Sequence, residues 1–359
     1  MFKIKFLRIG LLLPLIALVL SGCTLSFGTG SNTSSGNITD GGVFKSLNKG
    51  ANWAQKVLIQ GVNAKRSFSG INIISLGFDP SDNKAIYAGS SENGLFYSYD
   101  GGESWQVAAN LGKVSVTSVA VDPGNKCVIY ATADNKVFKS DDCSRTWAQV
   151  YFDNDLKAVV SALVIDYASS NNIFIGTSNG DIIKSSDFGK SWRNLDRFDS
   201  QVEKIVISPL SPKIMFAGTT SKGIMRSIDG GEKWEKLAGK LAAFDGSNRF
   251  RDLVIIKEEK AIIFLATNYG LLKSTDNGDT WSHIDILTAE EESKIYSIAV
   301  NYSDANEIYY TTGTTFYHSL DGGKNWISKK LPTSRAGFKL LIDSKNPAIV
   351  YLAARKINK

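Results

Sequence analysis

Cysteine and histidine are scarce in this sequence. Its 359 residues include three Cys and two His. Because transition metals are held mainly by these residue types, we expect no metal site. The sequence also lacks a G-x-S-x-G nucleophile motif and a phosphate-binding glycine loop. Sequence signals of an enzyme are therefore sparse: we expect a non-enzymatic protein and no cofactor.

The chain also lacks an apolar run of comfortable membrane-spanning length. The run Ile9–Leu20 is interrupted by Pro14 and is too short for such a span. It follows three basic residues and ends in Leu20-Ser21-Gly22-Cys23, which resembles the lipobox of bacterial lipoproteins. The resemblance implies that residues 1–22 are a signal peptide and that Cys23 carries the lipid anchor. An ordinary signal peptide with an incidental cysteine is the alternative.

The segment after the cysteine, residues 23–40, is rich in Gly, Ser, Thr and Asn and reads as a flexible tether. We therefore expect an exported protein, lipid-anchored to a membrane and facing outside the cytoplasm. Residue 24 is Thr and not Asp, and the resemblance to sorted lipoproteins then implies the outer membrane if the host has one. Removing residues 1–22 takes away three positive charges and no acidic residue, which lowers the formal net charge from +6 to +3. Nucleic-acid binding is not indicated.

One motif, S-x-D-x-G-x-x-W, recurs seven times at steps of 42 to 52 residues, and each of the seven tryptophans closes a copy. A period in this range indicates a repeat architecture. The serines are Ser46, Ser98, Ser140, Ser185, Ser227, Ser274 and Ser319. The third positions are Asn48, Asp100, Asp142, Asp187, Asp229, Asp276 and Asp321. The copies end at Trp53, Trp105, Trp147, Trp192, Trp234, Trp281 and Trp326.

The residue types of the motif suit a tight turn. The Asp carboxylate can accept backbone N–H groups two or three residues on, and Gly tolerates a positive φ. The Trp starts the next strand, and burying its ring could contribute up to about 5 kcal/mol. Two copies depart from the pattern, because Asn48 replaces the Asp of the first and Ser144 replaces the Gly of the third.

The motif resembles the Asp-box, or bacterial neuraminidase repeat, of sialidases, xyloglucanases, sortilin-type receptors and photosystem II assembly factors. The resemblance implies a turn between the third and fourth strands of a propeller blade. The carboxylates could instead be calcium ligands or catalytic acids. A structural role fits better, because seven symmetric copies on separate blades do not form one active site.

Three strand patterns precede each box, and the Trp begins a fourth. The second pattern carries an aromatic residue followed two positions later by a small one, as in Tyr87 with Gly89 and Phe216 with Gly218. Four strands per repeat of about 45 residues favour a propeller. The first box has no first or second strand before it, and the last two strands have no box after them. We therefore predict an all-β fold, a seven-bladed propeller over residues 41–359 whose last blade is closed by both termini.

Cys127 opens a second strand, and Cys143 lies in the following box. If these strands pair through a turn near Asp134, residue 127 lies opposite about 142. We therefore expect a disulfide in an exported protein; two separate thiols are the alternative.

The face opposite the boxes carries three long loops, at 60–70, 238–252 and 285–294. Arginines in the loops of this face, accompanied by Phe68, Phe198 and Phe250, form the mixture enriched at protein interfaces. The alternative is solvated charge balanced by the acidic run 290–292. The candidate partner-binding residues are Arg66, Arg197, Arg249, Arg251 and Arg335.

Over the whole chain the sequence resembles the photosystem II stability/assembly factor family. That resemblance implies a non-enzymatic, lipid-anchored scaffold that binds a protein or envelope component on the long-loop face, and we expect it to be a monomer. The alternative is a glycan-active enzyme or glycan-binding module of the sialidase or xyloglucanase type.

Overall fold

A computed structural model describes residues 39–61, 66–288 and 294–357. Within these residues the chain forms thirty strands and one short 3-10 helix, Leu237–Leu241. The strands are β1 (Gly42–Ser46), β2 (Ala54–Gln55), β3 (Leu58–Ile59), β4 (Arg66–Ser67), β5 (Ile73–Phe78), β6 (Ile86–Ser90), β7 (Leu95–Ser98), β8 (Gln106–Val107), β9 (Val119–Asp122), β10 (Asn125–Ala133), β11 (Lys136–Ser140), β12 (Ala148–Phe152), β13 (Val160–Ile165), β14 (Ile173–Thr177), β15 (Asp181–Ser185), β16 (Arg193–Arg197), β17 (Val202–Ser208), β18 (Ser211–Thr219), β19 (Gly223–Ser227), β20 (Glu235–Lys236), β21 (Phe250–Lys257), β22 (Ala261–Thr267), β23 (Leu271–Ser274), β24 (Ser282–Ile284), β25 (Ser297–Asn301), β26 (Asp304–Thr311), β27 (Thr315–Ser319), β28 (Ile327–Lys330), β29 (Ala336–Ile342) and β30 (Val350–Arg355).

The strands form seven four-stranded antiparallel sheets, which confirms the seven-bladed propeller. Blades 1 to 6 are β5–β8, β9–β12, β13–β16, β17–β20, β21–β24 and β25–β28, and β3 and β4 form a separate short ribbon. No helix in the described part of the chain is long and apolar enough to cross a membrane.

The seventh sheet, here called the closing blade, joins the two ends of the chain in the order β2-β1-β30-β29. Strand β1 pairs with β30 from Gly42 opposite Ala354 to Ser46 opposite Val350. The predicted closure by both termini is therefore confirmed. It leaves the ring without a break between its first and last sheets, which removes an exposed sheet edge.

The small residue in the second strand lets neighbouring blades approach closely. A Cβ added at Gly176 would lie 2.5 Å from Val202 Cγ1, on the first strand of the next blade. A Cβ at Gly218 would collide with the ring of Phe250, at the start of the blade after it. The aromatic-x-small pattern therefore marks the line along which one blade packs on the next.

The box turns sit at one end of the ring, which we call the box face. In blade 1, the Ser98 hydroxyl donates to Asp100 Oδ1 (2.7 Å) and accepts the Gly102 N–H (2.9 Å). Asp100 Oδ1 also accepts the Ser104 N–H at 2.9 Å. The carboxylate thus accepts the N–H four residues on, and in two other boxes it also accepts the N–H three residues on, as predicted: Arg145 N–H donates to Asp142 Oδ1 and Glu232 N–H to Asp229 Oδ1.

These bonds hold the box carboxylates ionised. Hydrogen bonds from the hydroxyl and N–H of Thr146 lower the pKa of Asp142 to about 2, and those from Ser191 do the same for Asp187. A carboxylate that is occupied in this way is a turn-forming group and a poor proton donor near neutral pH.

The tryptophans are less buried than the sequence predicted. Trp105 is fully buried, whereas the other six are half-buried. They pack on the preceding blade: Trp234 contacts Phe198 edge-on with ring centroids 5.6 Å apart, and the Trp192 indole donates to the Val150 carbonyl at 2.9 Å. The contribution of up to about 5 kcal/mol from burying the ring therefore applies in full to Trp105 alone.

In blade 2 the structure joins Cys127 and Cys143 in a disulfide, with Cα atoms 3.9 Å apart. Strands β10 and β11 pair with Ile129 opposite Ser140, so residue 127 falls opposite 142, the predicted register. The expected export to an oxidising compartment stays a prediction.

We expect Ser144→Gly to stabilise the protein by about 1 kcal/mol. Ser144 stands at the box glycine position with φ +67°, in the left-handed region, where a residue with a Cβ is strained by about 1 kcal/mol or more. The measurement is the free energy of unfolding in denaturant.

The matched control is Gly189→Ser in the next box. Gly189 has φ +86°, and a Cβ there would lie 3.4 Å from the Tyr130 ring, an ordinary contact. We expect Gly189→Ser to lower the free energy of unfolding by about as much as Ser144→Gly raises it. Equal stability of Ser144→Gly and the parent would show that the turn absorbs the strain.

Candidate functional site

The end of the ring opposite the boxes, here called the loop face, carries β-bulges at the starts of first strands. The pairing registers shift between Val202 and Lys204, between Phe250 and Asp252, and between Gly337 and Lys339. A bulge inserts one extra residue and redirects its side chain. The extra residues are Glu203, Arg251 and Phe338, and all three line one cavity.

This basic cavity has a volume of about 470 Å³ and is formed by blades 4, 5, 6 and the closing blade. Seven cationic side chains line it, against one acidic side chain among the described residues, Glu203. Aromatic rings of Tyr296 and Phe338 complete its wall. The cationic residues are Lys204, Arg249, Arg251, Lys294, Lys339, Arg355 and Lys356.

Some of these cations pack against aromatic rings, and the cations repel one another. The Arg355 guanidinium lies 4.5 Å from the Phe338 ring centroid, and Lys294 Nζ lies 5.4 Å from that of Tyr296. Desolvation, aided by the charges of Arg251 and Arg355, lowers the pKa of Lys294. Like charges held together in this way favour binding of an anion.

One buried carboxylate outside the cavity wall pairs with the cavity residue Lys204 and neutralises part of this charge. Asp252 Oδ1 lies 2.8 Å from Lys204 Nζ, and Oδ2 accepts the Ser297 hydroxyl at 2.9 Å. Burial opposes ionisation, but the cations Lys204 and Lys339 and these bonds lower the pKa of Asp252 to about 2. Asp252 is therefore a fixed anion.

Of the five predicted partner-binding arginines, the structure brings only Arg249 and Arg251 into the cavity. Arg66 lies on β4 of the short ribbon and Arg197 at the end of β16, where its Nε is 3.7 Å from Asp181 Oδ1. Arg251 also lies on a strand, β21, and its Nε donates to Asn268 Oδ1 at 2.8 Å.

Arg335 is buried and serves the fold. Its side chain is 8% exposed, and it donates to Asn72 Oδ1 at 2.8 Å and to the Gly70 carbonyl at 3.0 Å. Its Nε also lies 3.6 Å from Asp40 Oδ1. This guanidinium is therefore engaged inside the protein and leaves little surface for a partner.

The three phenylalanines proposed to accompany the arginines are buried too: Phe68, Phe198 and Phe250 are 0%, 8% and 5% exposed. They belong to the core, and of the three only Phe250 also lines the cavity. Sequence reasoning missed Lys339 and Arg355, which lie near the start of β29 and at the end of β30. The acidic run 290–292 and Cys23 lie outside the described residues.

The seven four-stranded blades and their box turns define the protein as a seven-bladed Asp-box β-propeller. Residues 96–107 match the model of the BNR/Asp-box repeat family. The chain matches none of the curated protein sequences with which it was compared.

Solved propellers show the same fold. The structure of YCF48 bound to D1 peptide superposes with a TM-score of 0.59 at 15% identity, over 80% of this chain and 94% of that one. YCF48 from Cyanidioschyzon merolae gives 0.58 at 14% identity, over 79% and 95%. The GH74 xyloglucanase from Xanthomonas campestris gives 0.62 at 16% identity, over 79% and 51%. This chain therefore spans about half the length of that enzyme.

Proposed function

We propose that the protein is a lipid-anchored, extracytoplasmic scaffold that binds an anionic group of a protein or envelope component in the basic cavity. The observation that carries the proposal is the cavity itself, with seven cations facing one acidic side chain among the described residues. Arg and aromatic residues in a concave site are typical of binding hot spots. Residues 1–22 would be the signal peptide, 23–40 the tether, and Cys23 the lipidated residue.

A binding role agrees with the state of Asp252, the buried carboxylate that contacts the cavity residue Lys204. A glycosidase needs a carboxylic acid whose raised pKa lets it protonate the leaving group. Asp252 is instead held ionised by Lys204 and Lys339. Similarity to the structure of YCF48 bound to D1 peptide gives the proposal a precedent for a peptide partner on this fold.

The alternative, a glycan-active or glycan-binding module, takes its support from the similarity to the GH74 xyloglucanase fold. It predicts retention of the protein on polysaccharide, and a hydrolase would release reducing sugar. Retention that is insensitive to the cavity arginines would favour this alternative over the scaffold.

We expect Arg249→Ala with Arg251→Ala to lower partner capture about 30-fold or more, because even one hot-spot arginine typically contributes about 2 kcal/mol. The measurement is a crosslinking pull-down of the protein from its own membranes, compared quantitatively with the parent. The melting temperature should change little, since Arg249 is exposed and Arg251 half-buried.

The matched control is Lys233→Ala with Lys324→Ala, which removes the same charge from two exposed lysines of the box face. A partner lost only in the arginine variant would place its binding site in the cavity. Unchanged capture in the arginine variant would contradict the proposed role of the cavity.

A further inference from the structure

Both described ends of the chain lie on the loop face. Strand β1 starts there at Gly42 and β30 ends there at Arg355, since both run between this face and the box face. Asp40 is fixed beside the start of β29, where its carboxylate accepts the Ser334 N–H and the Thr333 hydroxyl. The first described residue, Thr39, therefore lies at the same face as the basic cavity.

The length of chain upstream keeps this face close to an anchor at Cys23. Sixteen residues separate Cys23 from Asp40. A Gly- and Ser-rich chain of that length has a root-mean-square span of roughly 20 Å. A lipid on Cys23 would thus hold the loop face near the bilayer, at a high effective concentration of its headgroups.

The chemistry of the loop face suits phosphate headgroups. Four of the seven cavity cations are lysines. The lysine ammonium group is a compact charge that, unlike the planar guanidinium of arginine, binds a phosphate from any direction. The half-buried Tyr296 and Phe338 lie among the cavity cations, and Ile357, 36% exposed, stands at the rim. Cations beside aromatic and aliphatic side chains are the mixture found where proteins meet a membrane interface.

We infer that the loop face docks on the surface of an anionic membrane, with lipid phosphate groups entering the basic cavity. The inference rests on the proposed function, because it takes from it the anchor at Cys23 and the anion-binding role of the cavity. An acidic protein segment would satisfy the same cations, but the position of the tether specifically brings this face to the lipid.

The test is vesicle co-sedimentation of a chain that starts at Thr24, so that no lipid anchor contributes. This chain retains the whole compact unit Thr39–Lys359. It should bind vesicles of phosphatidylcholine mixed with phosphatidylglycerol and not vesicles of phosphatidylcholine alone. Added salt should weaken the binding, because surface attraction is screened within about 10 Å at 0.1 M.

Arg249→Ala with Arg251→Ala should weaken binding to the anionic vesicles about 30-fold, at about 1 kcal/mol for each cation near the surface. Lys233→Ala with Lys324→Ala removes the same net charge from the box face and should change it little. Arg249→Ala alone, at an exposed position, replaces the double variant if the latter is less stable.

Equal losses in the two double variants would overturn the inference, because attraction would then follow net charge and not the cavity. Equal binding to neutral vesicles would also overturn it. Binding of inorganic phosphate without any binding to anionic vesicles would overturn it as well and would identify a free-phosphate site instead. If the protein does not bind vesicles but still captures a protein in a way that depends on the arginines, the membrane inference is wrong and the proposed function stands.

Discussion

A chain that ends after Ser344 should fail to form the stable ring. This truncation removes β30, the strand that pairs with both β1 and β29. Val350, Tyr351 and Leu352 on this strand are no more than 1% exposed, and each large apolar side chain contributes about 1.5–3 kcal/mol when buried. Their sum approaches the whole stability of an ordinary domain, about 5–15 kcal/mol.

Thermal unfolding and size-exclusion chromatography measure the outcome. We expect loss of the cooperative transition and self-association, because the exposed edges of β1 and β29 offer unpaired backbone groups. The control is a chain that ends at Ile357, which keeps all of β30. A truncated protein that stayed monomeric with an unchanged melting temperature would refute the role of the closing blade.

Glu307→Ala should lower the free energy of unfolding by about 3 kcal/mol. The Glu307 side chain is 2% exposed and sits between blade 6 and the closing blade. Its Oε1 lies 2.8 Å from Lys49 Nζ of the first box and 3.1 Å from His318 Nε2, and it accepts the Tyr309 hydroxyl. Removing one partner of a buried charged cluster typically costs about 3–5 kcal/mol; the exposure of Lys49 places this case at the lower end.

The same cluster should make stability depend on pH. Burial alone would raise the pKa of Glu307, but bonds from Lys49, Tyr309 and Asn301 outweigh it and lower the pKa below its ordinary 4.5. A lowered carboxyl pKa adds stability above the unfolded value, and that stability is lost as pH falls through the folded value. Desolvation also lowers the pKa of His318 below 6.5. Because the folded protein holds this imidazole neutral, its protonation at low pH also favours the unfolded state.

Denaturant unfolding from pH 7 to pH 3 checks this dependence with Glu307→Gln, which keeps the shape and loses the charge. The difference between the parent and this variant should shrink as the pH falls below 4.5, the ordinary pKa of the carboxyl group. A difference that stays constant with pH would show that packing, and not the ionised carboxylate, holds this interface.

The sequence pattern was enough to predict the box turns, the closing blade and the pairing of one hairpin, because these depend on residues that are close together in the chain. The box turns fixed the blade count, and two incomplete repeats at the ends predicted the closing blade. Counting residues across one hairpin placed position 127 opposite 142. In each case the determining contacts are turns and hairpins, whose geometry follows from a few neighbouring residues.

The cavity could not be predicted in the same way. Its walls depend on bulges such as those at Glu203 and Phe338, and a bulge is a shift of pairing between strands that leaves little trace in composition. Arg335 and Arg249 look alike in the sequence, yet Arg335 is buried against Gly70 and Asn72 while Arg249 faces the cavity. What separates them is the position of a distant loop.

The position of the chain ends has a practical consequence for experiments on this protein. Lys356 and Ile357 line the basic cavity, so a purification tag or fluorescent protein fused beyond them would stand at its entrance. A polyhistidine tag there would add titratable groups to the binding surface, and an acidic epitope tag could occupy the cavity itself. The turn at Leu210, which is 41% exposed on the box face, offers an insertion site that leaves the loop face open.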